Sequence, residues 1–303
     1  MPAPITLGSI PAALKPGVKK FYGMGYNDHP AQYSRIFEAI NTDENFIKYV
    51  QTHGFGLAMK KHEGTDVSYD SMAQGFHRIF EPEIYALGFR VTHEAIRDNK
   101  YVELANNRAR ALARSMQQTK EQLAAEPLNF ATDTAVTMAD GLPLLSTAHL
   151  NSKGGTYSNR LSTNADLSLE ALEQADTEIG DILDDSRLKI NLQIRRLIVP
   201  RELKFDAERI QGSTLVPGSA DNDLNVIRSM GFIKEVVVHE YLSDANDWFL
   251  QTDCEDGLLQ FQREASQIYM DTDFDSRDVK TIAMESYVFG VVDPRCVFGS
   301  VVA

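Results

Sequence analysis

Cysteine is scarce in this 303-residue chain: Cys254 and Cys296 lie far apart and share no CxxC or Cys–His spacing. That excludes a disulfide framework and offers no zinc-type cluster, so a reducing, cytoplasmic folding environment is expected. No window approaches the ~18 uncharged apolar residues that a membrane span needs. The opening MPAPITLGSIPAALKPGVKK lacks a basic start followed by an apolar core, so no secretion signal is read there. Basic residues are in deficit, 30 against 43 acidic, giving a formal charge of -13. A surface that grips nucleic acid all over needs clustered Lys and Arg, so that class is excluded, whereas a local basic patch is not. Internal repeats and low-complexity tracts are absent as well.

What is present is the mix of a soluble globular protein, 43% hydrophobic and 24% charged, long enough for one large domain or two ordinary ones. Residues 1–20 hold four prolines and two glycines without period and are read as an extended arm. Residues 31–52 are read as a helix, with Tyr33, Ile36, Phe37 and Ile40 at helical spacing. Strands are expected at 54–61, 76–80 and 84–92, and the polar run 62–71 makes the first two a long hairpin with a charged tip. A lone hairpin is marginal in water, so a neighbouring subunit is a candidate for its support. The clearest helix covers 98–126, with Tyr101, Ala105, Ala109, Leu112, Met116 and Leu123 as its apolar stripe. Arg108, Arg110, Arg114, Lys120 and Glu121 take its remaining faces and Pro127 stops it. A second helix is expected over 168–185, begun by Ser168 and Glu170, with Leu172, Ala175, Ile179 and Ile182 inward. Strands at 196–200, 232–241, 248–251 and 279–292 and a short helix at 203–210 complete an α+β pattern of antiparallel strands without a βαβ repeat.

The chemistry-bearing residues give near misses. The stretch 140–150, DGLPLLSTAHL, sets Asp140, Ser146 and His149 within ten positions, the side chains of a hydrolytic triad. Yet Ser146 follows Leu144-Leu145 in an apolar run without a flanking glycine, whereas a nucleophilic serine sits on a sharp exposed turn. Triad members also converge from separate parts of a chain. The preferred reading is a turn at Asp140-Gly141, Leu142 to Leu145 packed inward, and Ser146 to His149 leading into a polar loop. Its polar atoms would satisfy local hydrogen bonds or a subunit contact. His239-Glu240 and His93-Glu94 begin like helical zinc motifs but carry Ser243 and Arg97 at the second-ligand position. Asp271-Thr-Asp-Phe-Asp275 opens like a calcium loop, with Ser276 where Gly is required and Ile282 where Glu is required; a solvated acidic turn is expected. Gly23-Met-Gly25 lacks the third glycine and the preceding strand of a dinucleotide site. No catalytic, cofactor-binding or metal-binding residue is assigned.

Three ordered blocks carry a resemblance. The first is Asn129-Phe-Ala-Thr-Asp-Thr through Asp140-Gly-Leu-Pro-Leu-Leu-Ser-Thr-Ala-His149, followed by a Gly/Asn-rich stretch to Asn159 and Leu161. The second is Leu197-Ile-Val-Pro-Arg-Glu-Leu, continuing to Ala207 and Ile210, with Asn225 and Trp248 downstream. The third is Asp278-Val-Lys-Thr-Ile-Ala-Met-Glu-Ser-Tyr-Val-Phe-Gly-Val-Val-Asp-Pro294. Together, from about residue 20 to 301, the chain resembles the major capsid protein of tailed bacteriophages, the Hong Kong 97-type fold, and within it the Mu-like major head subunit family.

That resemblance implies an N-terminal arm (1–52), an extended loop (53–92), a peripheral domain (93–160 with a spine helix at 98–126, plus a strand at 271–290) and an axial domain (161–270), to which 291–303 return. It implies a non-enzymatic head protein that self-assembles as pentamers and hexamers into an icosahedral shell around double-stranded DNA. Such a protein is assembled in the host cytoplasm and carried in the virion. Its partners would be its own copies, a portal, and separate scaffolding or decoration proteins, since no long helical extension precedes the arm. DNA would be met only by non-specific contact, with no membrane and no cofactor. On the extended loop, Lys60, Lys61, Glu63, Asp66, Tyr69 and Arg78 are the candidate inter-subunit contacts. Covalent cross-linking, a feature of some members, is not carried over to Lys60 and Lys61. The alternatives are an encapsulin-like cargo compartment, another virion structural protein and, from a different class, a serine hydrolase using Ser146 and His149.

Overall fold

Strand pairing builds two four-stranded sheets, seen in a computed structural model that describes residues 10–28, 30–52, 54–64, 66, 67, 69, 74–92, 94, 95, 101–216 and 223–302. The N-terminal part holds helix α1 (Ile10–Tyr26), a 3-10 turn (Tyr33–Arg35) and strands β1 (Glu38–Asn41), β2 (Ile47–Thr52), β3 (Gln74–Phe80) and β4 (Glu83–Val91). The long helix α2 (Tyr101–Asn129) follows, then β5 (His149–Leu150), β6 (Thr156–Tyr157), α3 (Leu169–Gly180) and β7 (Ile194–Val199). Helices α4 (Lys204–Gly212) and α5 (Val226–Met230) precede β8 (Glu235–Val238), β9 (Trp248–Thr252), β10 (Leu258–Thr272), β11 (Val279–Val291), a second 3-10 turn (Pro294–Cys296) and β12 (Val297–Ser300).

The sheet β12-β9-β7-β8 is buried on both faces, which suits its near-continuous apolar strands. Leu197, Val199, Trp248, Leu250 and Phe298 point to one side and pack with Leu172, Ala175 and Ile179 of α3, Ala207 of α4 and Ile227 of α5. Their neighbours Ile198, Phe249 and Val297 point to the other, onto Ala124 and Leu128 of α2, Ile36, Phe37, Leu144 and Leu145. The second sheet, β1-β10-β11-β4, lays Val91, Val279 and Ala283 on Val18 and Tyr22 of α1 and Ala105, Ala109, Leu112 and Met116 of α2. A separate ribbon, β2 paired with β3, is moored through Phe80, which packs with Leu259, Phe261 and Val292.

Several expectations are corrected. Residues 10–26 are helical, not part of an extended arm, while 1–9 lie outside the described residues. Pro11 stands in the first turn, where its missing N–H costs nothing, but Pro16 lies inside the helix. Packing overrides it: Val18 and Tyr22, one turn apart, are buried, and the Tyr22 hydroxyl lies 2.5 Å from that of Ser266. Residues 31–52 form a 3-10 turn and two strands instead of a helix, because the adjacent pair Ile36 and Phe37 is buried together and 47–52 pair with β3. Consequently 54–61 are not a strand, and the hairpin partner of β3 lies upstream of them.

Pro127 sits within α2, which runs on to Asn129, and Lys120 and Glu121 are buried rather than on polar faces. Helix α3 stops at Gly180, where the Asp181 N–H turns back to Glu178 and Ile179, short of 185. Its start is as expected, Ser168 Oγ accepting from the Ala171 N–H at 3.1 Å. The strand expected at 232–241 is confined to 235–238 and pairs in parallel with β7, as β1 does with β10. The fifteen-residue β10, the longest strand, was not anticipated at all.

Two glycines test this packing in opposite directions. A Cβ at Gly290 would lie 2.1 Å from the Phe80 ring, whereas one at Gly23, on the open side of α1, would meet nothing within 4 Å. Thermal denaturation of Gly290→Ala should show a loss of about 1–3 kcal/mol as Phe80 is displaced. Gly23→Ala should gain about 0.5–1 kcal/mol from helix propensity alone.

Candidate assembly surfaces

The stretch DGLPLLSTAHL folds into a clamp. Gly141 takes a φ of 81°, the left-handed value that a turn needs, and the Leu142 N–H donates to Asp140 Oδ1 at 3.2 Å. Leu144 and Leu145 enter the core between α2 and the β12-β9-β7-β8 sheet, as expected. His149 is fully buried and stacks on Tyr157, with ring centroids 5.3 Å apart. Its Nδ1 lies 2.6 Å from Asp140 Oδ2 and its Nε2 lies 3.1 Å from the Leu144 carbonyl. A carbonyl can only accept, so Nε2 carries a hydrogen, and a second proton must lie between Nδ1 and the carboxylate. Burial alone would raise the Asp140 carboxyl; the His149 hydrogen bond and charge, with the Leu142 and Leu150 N–H groups, outweigh it and hold the carboxyl low.

Ser146 is not joined to this pair. Its hydroxyl accepts from the Ala148 N–H at 3.3 Å and its own N–H donates to Asn159 Oδ1 at 2.9 Å. Nε2, the atom that would have to accept a serine proton, is already donating to Leu144. Asn159 continues the clamp: its Nδ2 lies 2.6 Å from the Leu144 carbonyl and 3.1 Å from that of Val297, tying 140–160 to β12. The three triad letters thus fasten one connection to the sheet.

Of the six candidate contact residues, five lie together on the connection between β2 and β3. Lys60, Lys61, Glu63, Asp66 and Tyr69 are all exposed, Tyr69 at 92%. Phe55, Leu57, Met59 and Val67 on the same connection also face solvent. Arg78 is elsewhere, turned inward at the root of the ribbon. Its guanidinium donates to the Val291 carbonyl at 2.9 Å and lies 5.3 Å from the Phe80 ring centroid; burial lowers its pKa. It borders a cavity of about 360 Å³ rimmed by Glu81, Glu83 and Glu126, where burial, then the Glu83 charge, raise the Glu126 carboxyl.

Three further apolar exposures went unnoticed in the sequence. Phe205, Leu215, Leu224, Val226 and Met230 gather where α4 meets α5 and Leu215 bridges Leu224. Ile84, Tyr269 and Ile282 share the open face of the β1-β10-β11-β4 sheet. Phe274 is 95% exposed at the tip of the β10–β11 hairpin, within the acidic turn where Asp273 pairs with Lys280 at 3.2 Å. One signal was available: Phe205 lies out of phase with the buried Ala207 and Ile210 of α4.

Among the described residues, no three His, Cys, Asp or Glu side chains gather as a metal site. His239 instead directs Nε2 at Glu121, 3.4 Å away, and His93 lies outside the described residues. Cys254 and Cys296 are free thiols whose pKa values burial raises. No helix is long and apolar enough to cross a membrane, among the described residues.

The model of the phage capsid protein family matches residues 78–300, most of the chain and all of its two-sheet framework except β1. The chain belongs to that family. Compared with curated proteins, its sequence matches none. In structure, this capsid protein is similar to a chain of Microbacterium phage Oxtober96, with a TM-score of 0.55 and 12% identity over 90% of this chain and 91% of that one. It is similar to the virus-like particle from Pyrococcus furiosus, with a TM-score of 0.52 and 10% identity over 94% and 98%. It is similar also to the procapsid protein of bacteriophage JBD30, with a TM-score of 0.51 and 14% identity over 99% and 77%. At such identities these likenesses speak for the fold, which is the Hong Kong 97-type capsid fold. With the family match, they make the chain a structural component of the virion, a major capsid protein whose copies form the shell.

The clamp has a measurable pH signature. Because the folded Asp140 carboxyl is held low, its contribution to stability is present above its unfolded pKa and is lost as pH falls through the folded value. Asp140→Asn should cost about 3 kcal/mol at neutral pH, the cost of leaving one partner of a buried pair alone. Between pH 5 and 3 the gap from wild type should narrow, as followed by thermal denaturation.

Proposed function

We propose that this capsid protein closes, as pentamers and hexamers, into an icosahedral shell around double-stranded DNA. Assembly takes place in the host cytoplasm, with a portal and separate scaffolding or decoration proteins as further partners. The observation that carries this reading is the family match over residues 78–300. Support comes from the apolar groups left in water on four separate surfaces, more than a chain working alone would expose. Copies arranged by symmetry would cover each of them.

In this reading residues 1–52 are the arm, 53–92 the extended loop and α2 the spine helix. The sheet order favours a peripheral unit made of β4, α2, β10 and β11, and an axial unit made of β7, β8, β9 and β12 with α3 to α5. The boundary then falls ahead of β10, near 253–257, because β10 pairs with β11 from Leu258 to Thr272. The extended loop lies over a neighbouring copy's spine helix and peripheral sheet. Phe55, Leu57 and Met59 bury there, each worth roughly 1.5–3 kcal/mol when fully covered. Lys60, Lys61, Glu63 and Asp66 form the charged rim that sets register, and Tyr69 adds a further contact. Arg78 acts from the root of the loop, holding the ribbon to Val291.

Electron microscopy of the purified chain tests the reading: closed icosahedral particles are expected, and a chain that stays monomeric under all assembly conditions overturns it. The double substitution Leu57→Ser and Met59→Ser should leave the melting temperature of the free subunit within about 2 °C of wild type, since both side chains are exposed. The same variant should form few or no closed particles.

A further inference from the structure

The acidic balance of the chain hides a segregated basic region. Residues 1–27 and 104–120 carry seven of its 30 basic residues and none of its 43 acidic ones. The fold brings α1 and the N-terminal half of α2 side by side. Gly17 of α1 faces Asn106 of α2, and Gly25 faces Arg110 and Ala113, so the helices pack in the same direction with their backbones close. Lys19 and Lys20 are exposed on α1, and Arg108, Arg110 and Arg114 are exposed on α2.

The outward faces are basic by geometry as well as by composition. On α1 the buried positions are Val18 and Tyr22, which leaves Lys19 and Lys20 on the open arc. On α2 the buried stripe of Ala105, Ala109, Leu112, Ala113 and Met116 leaves Arg110 and Arg114 exposed along the edge beside α1 and Arg108 exposed along the opposite edge, beside β4. Arg110 lies flat against Phe21, 4.7 Å from the ring centroid, which holds its guanidinium in the seam between the helices. Arg108 donates to the Arg90 carbonyl at 2.6 Å, which fixes its position on β4 and brings exposed Arg90 alongside. Among the described residues, no carboxylate forms an ion pair with Lys19, Lys20, Arg108 or Arg110. Like charges without an ion-paired carboxylate, as at Lys19, Lys20, Arg108 and Arg110, repel one another and favour an anionic partner.

We infer that the face formed by α1 and the N-terminal half of α2 is a sequence-independent contact surface for the phosphate backbone of duplex DNA. The inference rests on the shell reading for its partner and adds to it the surface that meets the DNA. Duplex DNA fits better than an acidic peptide because the charges are spread along two parallel helices and not converged in a pocket. The remainder of the acidic surface would repel the duplex, so contact is confined to this stripe and stays weak enough for the DNA to be packed and released.

The test is fluorescence anisotropy of a labelled 30-base-pair duplex of random sequence, titrated with the full chain at several salt concentrations. With four to five phosphates neutralised, log Kd against log salt should have a slope of magnitude about 4. Lys19→Glu with Lys20→Glu should weaken binding about tenfold or more at 0.1 M salt and reduce the slope by about 2. Arg108→Gln with Arg114→Gln should act in the same direction and decides the matter if the first variant fails to fold. Binding that neither variant alters, or no duplex binding at all, overturns the proposal. So does binding of poly-glutamate in place of the duplex, which would assign the face to an acidic polypeptide. Particle formation is scored separately by electron microscopy: variants that assemble normally and bind DNA as wild type does refute this surface alone, whereas failure of the wild-type chain to assemble refutes the shell.

Discussion

Glu285, in the middle of β11, has no exposure to water, and the fold is arranged around answering its charge. Lys120 of α2 brings its Nζ to 3.6 Å from the carboxylate, and the Tyr26 hydroxyl of α1 donates to it at 3.1 Å. The same ammonium donates to Gln262 Oε1 of β10 at 2.7 Å and sits 4.6 Å from the Tyr287 ring centroid. Burial drives both groups towards neutrality, raising Glu285 and lowering Lys120, while their mutual attraction opposes it. A buried pair of this kind adds little over an apolar pair of the same shape, but losing one partner costs about 3–5 kcal/mol. Its value is therefore positional: one spot on the sheet accepts Lys120, and α2 cannot slide along the strands without stranding two charges.

The next residue extends the same logic to the other half of the molecule. Glu121 accepts the N–H groups of Gln32 and Tyr33 at 2.7 and 3.0 Å, and His239 lies 3.4 Å from it just after β8. Two consecutive residues on α2 thus address the two sheets. About 40 Å long at 1.5 Å per residue, the helix lies on one sheet with its first half and on the other core with Ala124 and Leu128. With the Asp140–His149 clamp and Asn159 fastening the following connection to β12, the joint between the sheets is made of buried polar and charged contacts. Large apolar side chains left over from both cores face outward in defined places, and those places are what copies of the chain have available to bind one another.

How much of this could be read beforehand depended on whether the cause was local. The Asp140-Gly141 turn, the Ser168 cap, the α3 stripe and the Ala105, Ala109, Leu112 and Met116 part of the α2 stripe follow from short-range rules and stand where the sequence placed them, whereas Leu123 is only half-buried and Ala124 and Leu128 take the core positions in its place. Helix α1 did not declare itself because Pro16 and its glycines argue against a helix, and only contact with α2 outweighs them. Strand β10 was missed because register shifts between Gln262 and Gln267 break its alternation, and its second half is half-exposed. Lys120 and Glu121 looked like ordinary surface charges; their partners lie over 80 residues away, and no local pattern signals such a pairing. The exposure of Lys60, Lys61, Glu63, Asp66 and Tyr69 on the connection between β2 and β3 was legible as a polar tip. Arg78 was grouped with them by proximity in sequence, and its inward turn became visible only with Val291 beside it.

The charge balance finally constrains how such a subunit can associate at all. At -13 per copy, neighbouring chains repel at long range, and the repulsion is screened beyond roughly 8 Å at physiological salt. Close approach must therefore be driven by short-range burial of apolar groups, and these are in place on the extended connection, the α4–α5 corner, the open sheet face and the hairpin tip. Repulsion that acts within about a Debye length and is general in direction disfavours loose, poorly buried aggregates more than a few well-matched interfaces whose apolar burial outweighs it. An acidic subunit with small, separated apolar patches is accordingly suited to stay dispersed until several patches can be covered at once. Closed symmetry provides that condition, because each copy then meets all its neighbours with the same surfaces.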